Sequence, residues 1–147
     1  MQERFETFTV LINRISRDIW KIKNQEMAAY HLRSIHASCL YYIYSLGSVT
    51  SAELCEHCEE DKATISRAVD YLETNGFLLR DAGAKRYKSP LLLTEKGRDT
   101  GKRIAEKIDG VLETISHALT EEERIEFYRS LSTISRSLEA IVQNSEE

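Results

Sequence analysis

The sequence predicts a mainly α-helical fold with one small β-hairpin, of the α+β class, and three observations lead to it. Apolar residues recur at helical spacing over most of the 147 residues. Runs with strand character occur in only one place, between Gly76 and Thr94. One proline and six glycines leave few turn signals for a many-stranded sandwich or barrel.

The first predicted helix covers about residues 3–25 and carries an apolar stripe. Its members are spaced 3-4-3-4-3, as in a coiled-coil seam: Phe5, Phe8, Ile12, Ile15, Ile19 and Ile22. Similar stripes follow on a helix over about 95–118 and on a last helix with Thr120 as N-cap and Glu123 at the third position. Because these helices have no core of their own, we expect them to form a two-fold dimer interface.

The middle of the chain predicts three more helices with clear boundaries. The first spans about 32–46, ends at a left-handed Gly47, and has an apolar face of Leu32, Ile35, Cys39, Tyr42, Ile43 and Leu46. A capping box at 50–53 opens a short helix that ends near 58–60. Asp61 is the predicted N-cap of a helix over 62–74, which Gly76 ends and whose apolar positions are Ile65, Ala68, Val69 and Leu72.

A β-hairpin follows, with strands over 77–80 and 85–93 and a turn at 81–84. Pro90 requires an edge or strand-end position. Two helices followed by a hairpin is the order of a winged helix-turn-helix lobe, which we assign to 32–97. The segments 1–30 and 98–143 are expected to form a helical dimerisation lobe of the same single chain, 1–147, with a disordered tail from Asn144.

The charge distribution favours a local basic face. The net charge of −4 excludes a uniformly basic coat for nucleic acid. Residues 61–98 nevertheless hold eight Lys or Arg against five acids, a net charge of +3, whereas 53–60 holds four acids and no base. Positive charge therefore gathers in the predicted winged lobe.

The residue types near the start of the 62–74 helix are those that contact base edges in the major groove. Hydroxyls before the short helix can hold phosphates, and the basic row of the hairpin can follow the backbone or enter the minor groove. The predicted DNA-binding residues are Thr50, Ser51, Lys62, Thr64, Ser66, Arg67, Lys85, Arg86, Tyr87 and Lys88. The alternative is that these side chains form a solvated face on a structural helix pair.

Two sequence blocks, 61–70 (Asp-Lys-Ala-Thr-Ile-Ser-Arg-Ala-Val-Asp) and 93–97 (Leu-Thr-Glu-Lys-Gly), resemble the multiple-antibiotic-resistance regulator (MarR) family. The resemblance extends over nearly the whole chain. It implies a homodimeric winged-helix transcription factor, usually a repressor, and a dimer of this kind would bind a near-palindromic double-stranded operator. The family often has Asp-x-Arg at the wing tip, and Arg86 is the nearest counterpart of that arginine here.

In the family, effectors bind next to the helix predicted over 32–46. His36 and Tyr42 are therefore the candidate ligand-binding residues, and their polar-tipped rings suit a small aromatic effector. The alternative is that both are ordinary core or interface residues, because such rings are common in both places.

The three cysteines, Cys39, Cys55 and Cys58, form an odd number without a secretory signal, which indicates a reducing cytoplasm. Cys55 and Cys58 share one helix face and are redox candidates. They also suit core positions, because buried free cysteine behaves as a small hydrophobe. Zinc would need Cys39, His57 or His36 to complete its ligands, and we predict no metal and no cofactor.

No catalytic residue is predicted, because the chain has no glycine-rich phosphate loop, Gly-x-Ser-x-Gly or His-Glu-x-x-His motif. It also has no apolar run long enough to span a membrane. The function expected is a DNA-binding repressor released by a small ligand or oxidant. The alternative is a winged-helix protein-interaction module without DNA binding, which the acidic segment 53–60 and the atypical wing favour.

Overall fold

A computed structural model describes residues 2–80 and 88–145. Within them lie six helices and three short strands. In chain order these are α1 (Gln2–Ala28), α2 (Ser34–Leu46), β1 (Val49–Thr50), α3 (Ser51–Cys58), α4 (Lys62–Thr74), β2 (Leu78–Arg80), β3 (Pro90–Leu93), α5 (Glu95–Ser116) and α6 (Glu121–Ser145). The mainly α-helical class with a small β element is confirmed.

Helix α2 lies at the centre of the winged lobe, but its buried face differs from the predicted one. Leu40 is fully buried although the predicted face omitted it, and Leu46 is 52% exposed although the face included it. The buried stripe runs through His36, Leu40 and Ile43 because α4 and the sheet pack against that side. Gly47 ends the helix at φ +80° as predicted.

Helix α4 follows its sequence pattern closely. Its four predicted apolar positions are the four that are buried: Ile65, Ala68, Val69 and Leu72. The Asp61 side chain accepts a hydrogen bond of 2.7 Å from the backbone N–H of Thr64, which confirms the predicted N-cap. Gly76 takes φ +78° just beyond the helix end.

The sheet has three antiparallel strands in the order β1-β3-β2, where the sequence predicted a hairpin alone. Val49 pairs with Leu91, and Leu78 pairs with Leu93. Strand β1 is only two residues long and directly precedes the α3 cap, so it has no periodicity of its own. Pro90 is the first residue of β3, the strand-end position predicted for it.

Helix α5 packs closely on the lobe through two glycines. A Cβ on Gly101 would lie 2.8 Å from Cβ of Tyr44 on α2, and a Cβ on Gly97 would overlap the backbone at Phe77. Thr94 caps the helix, because its hydroxyl accepts from the N–H of Gly97 at 3.0 Å and donates to the Gly76 carbonyl at 2.6 Å. The predicted start of this helix near residue 95 is confirmed.

The outer helices bury little within one chain. Met27 is the single buried residue of α1, and α6 has none. Large apolar side chains of α1 are exposed by 39–68%: Phe5, Val10, Leu11, Ile12, Ile15, Ile19 and Trp20. Those of α6 are exposed by 38–62%: Ile125, Phe127, Tyr128, Ile134, Leu138, Ile141 and Val142.

The chain divides into two compact units, Met1–Glu106 and Lys107–Glu147. The sequence-based division into a winged lobe and dimerisation segments stays a prediction, because compactness within one chain does not test where a second chain binds. The predicted tail disorder from Asn144 is wrong for the two residues that α6 still includes, 144–145. Across the described part of the chain, no helix is long and apolar enough to cross a membrane.

Candidate nucleic-acid interface

The N-terminal half of α4 exposes a polar face opposite its buried one. Lys62, Ser66 and Arg67 are exposed, and Thr64 is half-buried. The guanidinium of Arg67 donates to the Thr64 hydroxyl at 3.5 Å, so the two side chains lean together one turn apart. The structure therefore brings these four predicted residues onto one solvent-facing surface, which we call the α4 face.

Of the two hydroxyls predicted to hold phosphates, that of Thr50 already caps the start of α3. The Thr50 hydroxyl accepts from the N–H of Glu53 at 3.2 Å, and the Glu53 carboxylate accepts from the N–H of Thr50 at 2.8 Å. Hydrogen bonds that this carboxylate accepts from the backbone N–H and then from the hydroxyl of Thr50 hold the pKa of Glu53 below its usual range. Ser51 is only 6% exposed. A phosphate contact by either residue stays a prediction, and the cap is the role that the geometry gives to Thr50.

Two of the basic residues counted in 61–98 are bound internally. Arg80 makes ion pairs of 2.6 Å with Asp70 and 2.7 Å with Glu73, which join the end of β2 to α4. Lys96 lies 4.2 Å above the ring centroid of Phe77 and donates to the Asn75 carbonyl at 2.9 Å. Counting charges along the sequence could not show that these two cations are bound within the protein. Both acidic partners of Arg80, for example, lie on another element, α4.

The wing residues are only partly described. Lys88 is exposed just before β3. Three other predicted wing contacts, Lys85, Arg86 and Tyr87, lie outside the described residues, as does the predicted turn at 81–84. The ion pairs of Arg80 hold β2, the strand that leads into the wing, in a fixed position relative to α4.

A family model described as MarR family matches residues 32–86, which run from the residues before α2 to the wing. Over these 55 of its 147 residues the chain is similar to the MarR family. A curated relative, the uncharacterized HTH-type transcriptional regulator YwoH of Bacillus subtilis (strain 168), is 28% identical over 85 residues. That alignment covers 58% of this chain and 62% of the relative, so the chain spans less than two thirds of the length of the curated relative it matches.

Solved structures share the MarR fold over a larger part of the chain. The DNA complex of Staphylococcus aureus MepR has a TM-score of 0.78 at 19% identity, covering 89% of this chain and 97% of that one. NMB1585, a MarR family regulator from Neisseria meningitidis, has a TM-score of 0.79 at 18% identity, covering 97% and 98%. At these identities the likeness establishes the fold alone.

The two candidate ligand-binding residues, His36 and Tyr42, have separate ring partners. His36 is 8% exposed and stacks on Tyr71 of α4 with a centroid distance of 4.5 Å. Its Nδ1 accepts from the N–H of Arg33 at 2.9 Å, and burial followed by the Arg33 charge lowers its pKa. Tyr42 stacks on His57 of α3 at 5.1 Å. Ligand binding at either residue stays a prediction.

Tyr71 connects α4 to the turn before α2 and to α2 itself, which the sequence did not predict. Its hydroxyl donates to the His31 carbonyl at 2.7 Å, in the turn between α1 and α2, while its ring stacks on His36. His31 has φ +55°, a conformation that is uncommon for a residue with a side chain. Because the hydrogen bond and the ring stack join residues 40 and 35 positions apart, no local pattern indicated them.

The cysteines are all free, and their positions differ. Cys39 is buried, whereas Cys55 and Cys58 have intermediate exposure. Among the residues that the structure describes, no group of three or more His, Cys, Asp or Glu could hold a metal ion. The core positions suggested for Cys55 and Cys58 are therefore wrong, because neither side chain is buried. Cys39 is the cysteine whose side chain has no contact with solvent.

We expect Asp61→Ala to lower the melting temperature by a few degrees, because the Thr64 N–H loses its acceptor. Asp61→Asn keeps an acceptor and should restore most of the loss. Hydrogen bonds from the backbone and side chain of Thr64, and then the Arg67 charge, hold the pKa of Asp61 below its usual range. The carboxylate therefore stabilises the fold above about pH 4, and this contribution is lost as pH falls through the lower folded pKa.

Thermal unfolding of the wild type, Asp61→Ala and Asp61→Asn at pH 7 and at pH 3 measures this effect. Equal melting temperatures of the wild type and the alanine variant at pH 7 would contradict the capping role.

Proposed function

We propose that the protein is a homodimeric, sequence-specific DNA-binding transcriptional regulator of the cytoplasm, acting as a repressor. The observation that carries the proposal is the α4 face: Lys62, Ser66 and Arg67 are exposed at the capped start of a helix whose opposite side is fixed in the core. The similar fold of MepR, solved as a DNA complex, and the description of YwoH as a transcriptional regulator support it.

The chemistry of the α4 face suits base-edge contact in the major groove. Arginine donates two parallel hydrogen bonds to the O6 and N7 atoms of guanine, and serine can contact several bases. The exposed Ala63 between Lys62 and Thr64 leaves space for the backbone to approach. Since Ile65 and Val69 anchor the other side, the helix would read bases without rearranging.

The exposed apolar faces of α1 and α6 support the homodimer. Large apolar side chains exposed together on one helix mark an interaction site. A two-fold dimer would bury both faces and present two copies of α4. We therefore propose a near-palindromic operator with half-sites about 34–36 Å apart, one helical turn of DNA.

Release from the operator would follow binding of a small aromatic effector or oxidation. The His36–Tyr71 stack joins α2 to α4, so an effector that inserted its ring beside His36 would act directly on the DNA-reading helix. Tyr42 occupies the corresponding position between α2 and α3 through its stack on His57. An effector shifts affinity only as far as it binds the released state more tightly.

Arg67→Ala should weaken binding to DNA from the region upstream of its own gene by about 1–3 kcal/mol, roughly 5- to 150-fold, and relax sequence preference at one position in each half-site. Arg136→Ala is the matched control, because it removes the same charge from exposed α6 on the side away from its apolar stripe. Fluorescence anisotropy against the native sequence and a shuffled duplex measures both variants.

Equal losses in the two variants would mean that only net charge matters and would contradict base reading by Arg67. If the wild type binds neither duplex, the function is instead that of a winged-helix protein-interaction module. The acidic residues of α3 and its connector, Glu53, Glu56, Glu59 and Glu60, favour that alternative, because all four are exposed beside α4.

A further inference from the structure

The His36 imidazole connects the start of its own helix, α2, to α4. Its Nδ1 atom accepts from the backbone N–H of Arg33 at 2.9 Å, the place that glutamate or glutamine takes in a capping box. Its ring lies nearly parallel to that of Tyr71 on α4, at an interplanar angle of 16° and a centroid distance of 4.5 Å. A change in the charge of this one ring therefore reaches both helices.

The hydrogen bond to Arg33 exists only while His36 is neutral. A neutral imidazole has one N–H and one bare nitrogen, and this bond requires the bare nitrogen to be Nδ1. Protonation adds a hydrogen to Nδ1, so that two N–H groups would face each other across 2.9 Å. Uptake of one proton thus replaces a hydrogen bond by a repulsive contact.

The surroundings of His36 favour the neutral ring. The side chain is 8% exposed, and burial, followed by the Arg33 charge, lowers its pKa. The Tyr71 ring acts in the opposite direction, because an aromatic face attracts a cation. Solvent weakens that attraction, since Tyr71 is 37% exposed.

The charged groups on the neighbouring elements have partners of their own or face solvent. The Tyr71 hydroxyl is turned toward the His31 carbonyl, to which it donates at 2.7 Å, and the side chains of His31 and Glu26 are exposed. Four more charged groups on α1, α4 and α5 are bound to Ser38, Arg80 or Tyr30: Lys23, Asp70, Glu73 and Arg103. The charge that acts on the imidazole is that of a cation, Arg33.

We propose that His36 is a proton sensor that releases α4 from α2 when the surroundings become acidic. A flip of the protonated ring about its Cβ–Cγ bond would keep the stack but would place a C–H against the Arg33 N–H, so the hydrogen bond is lost in either orientation. Movement of the ring into solvent also removes the burial and the repulsion by Arg33. The imidazolium therefore leaves Tyr71, and α4 loses its stack on α2.

The effect on DNA rests on the proposed function, to which it adds acid as a release signal. With His36 in solvent, α4 keeps its buried side but loses the contact that fixes Tyr71 from above. The α4 face then shifts relative to α2. We expect operator affinity to fall on the order of tenfold between about pH 7.5 and about pH 5.5.

NMR titration of the wild-type chain tests the sensor without DNA. The Arg33 amide and the Tyr71 ring protons should titrate with the same midpoint as the His36 imidazole, below about pH 6.5, because one loses its acceptor and the other its stacked ring. A His36 midpoint at or above about pH 6.5, or an Arg33 amide or Tyr71 ring that does not follow it, would overturn the proposal.

Two variants separate the proton from the hydrogen bond. The side-chain oxygen of His36→Gln can accept from the same N–H and takes up no proton, so the Arg33 amide should not titrate in this range. Arg33→Gln removes the cation and should raise the His36 midpoint above that of the wild type. An unchanged midpoint would contradict the role of Arg33. If His36→Gln does not fold, the wild-type titration still decides.

Fluorescence anisotropy at constant salt gives the DNA readout over the same pH range. The affinity of His36→Gln should stay nearly constant while that of the wild type falls. His57→Gln is the matched control, because it makes the same change in an exposed histidine that also stacks on a tyrosine, and it should keep the wild-type pH dependence. Equal pH dependence of the wild type and His36→Gln would overturn the release signal. A wild type that binds no DNA at any pH contradicts the proposed function, whereas the NMR titration still tests the sensor.

Discussion

Gly97→Ala should reduce the free energy of unfolding by about 3 kcal/mol, the upper part of the range for overpacking a close contact. A Cβ at this position would overlap the Phe77 carbonyl oxygen and lie 2.9 Å from its carbon and 3.2 Å from Leu93. Two of these atoms are backbone, so they cannot rotate away as a flexible side chain would. The Phe77 carbonyl also accepts from the N–H of Thr94 at 3.1 Å, so the α5 cap would be displaced as well.

Gly110→Ala is the matched control on the same helix. Nothing lies within 4 Å of a Cβ at Gly110, which is exposed. Alanine there should stabilise the helix by about 0.5–1 kcal/mol, since it removes the flexibility of glycine and adds no clash. Urea unfolding of both variants measures the difference. A Gly97→Ala protein as stable as the wild type would contradict the close packing of α5 on Phe77.

The parts of the fold that the sequence predicts correctly are those that local chemistry decides. Asp61 caps α4 because its side chain reaches an N–H only three residues away, and the buried positions of α4 follow from helical period alone. The same holds for the Thr120–Glu123 box at the start of α6, whose two hydrogen bonds are 2.8 and 3.2 Å. N-caps and helical periodicity can be read without knowing which other helix or strand packs against the segment.

The parts that the sequence misses depend on which element packs where. Leu46 lies on the apolar stripe of α2 by spacing, yet it is exposed because the lobe covers the side that holds Leu40. Arg80 adds to the basic count, yet its charge is bound by Asp70 and Glu73 of α4. Strand β1 exists only because β3 lies beside it.

In the candidate site too, features set by helical spacing could be predicted and features set by tertiary packing could not. The α4 face follows from the helical period, since the residues between buried positions must point outward. The stack of Tyr71 on His36 does not, because it joins two helices through residues 35 positions apart. Sequence spacing can show which residues share a helix face, but it cannot show what the opposing helix brings to that face.

Ile134→Asp should convert the proposed dimer into monomers or unfolded chains. Ile134 is 38% exposed in a helix that has no buried residue within its own chain. A charge at this position therefore costs little free energy in the monomer, and its cost rises when a second chain covers it. In a covered interface an unpaired carboxylate costs several kcal/mol, and about 4 kcal/mol weakens association on the order of 10³-fold. The Ile12→Asp variant of α1, where the side chain is 39% exposed, should behave in the same way.

Light scattering at micromolar concentration measures this loss, and circular dichroism separates monomers from unfolded chains. Ser132→Asp is the matched control, because it places the same charge on exposed α6 about 200° around the helix from Ile134. This control should stay dimeric and should bind DNA as the wild type does. Because one α4 alone reads one groove, monomeric Ile134→Asp should also protect only a half-site. A monomeric wild type, or an Ile134→Asp dimer with an unchanged two-groove footprint, would exclude the interface proposed for α6.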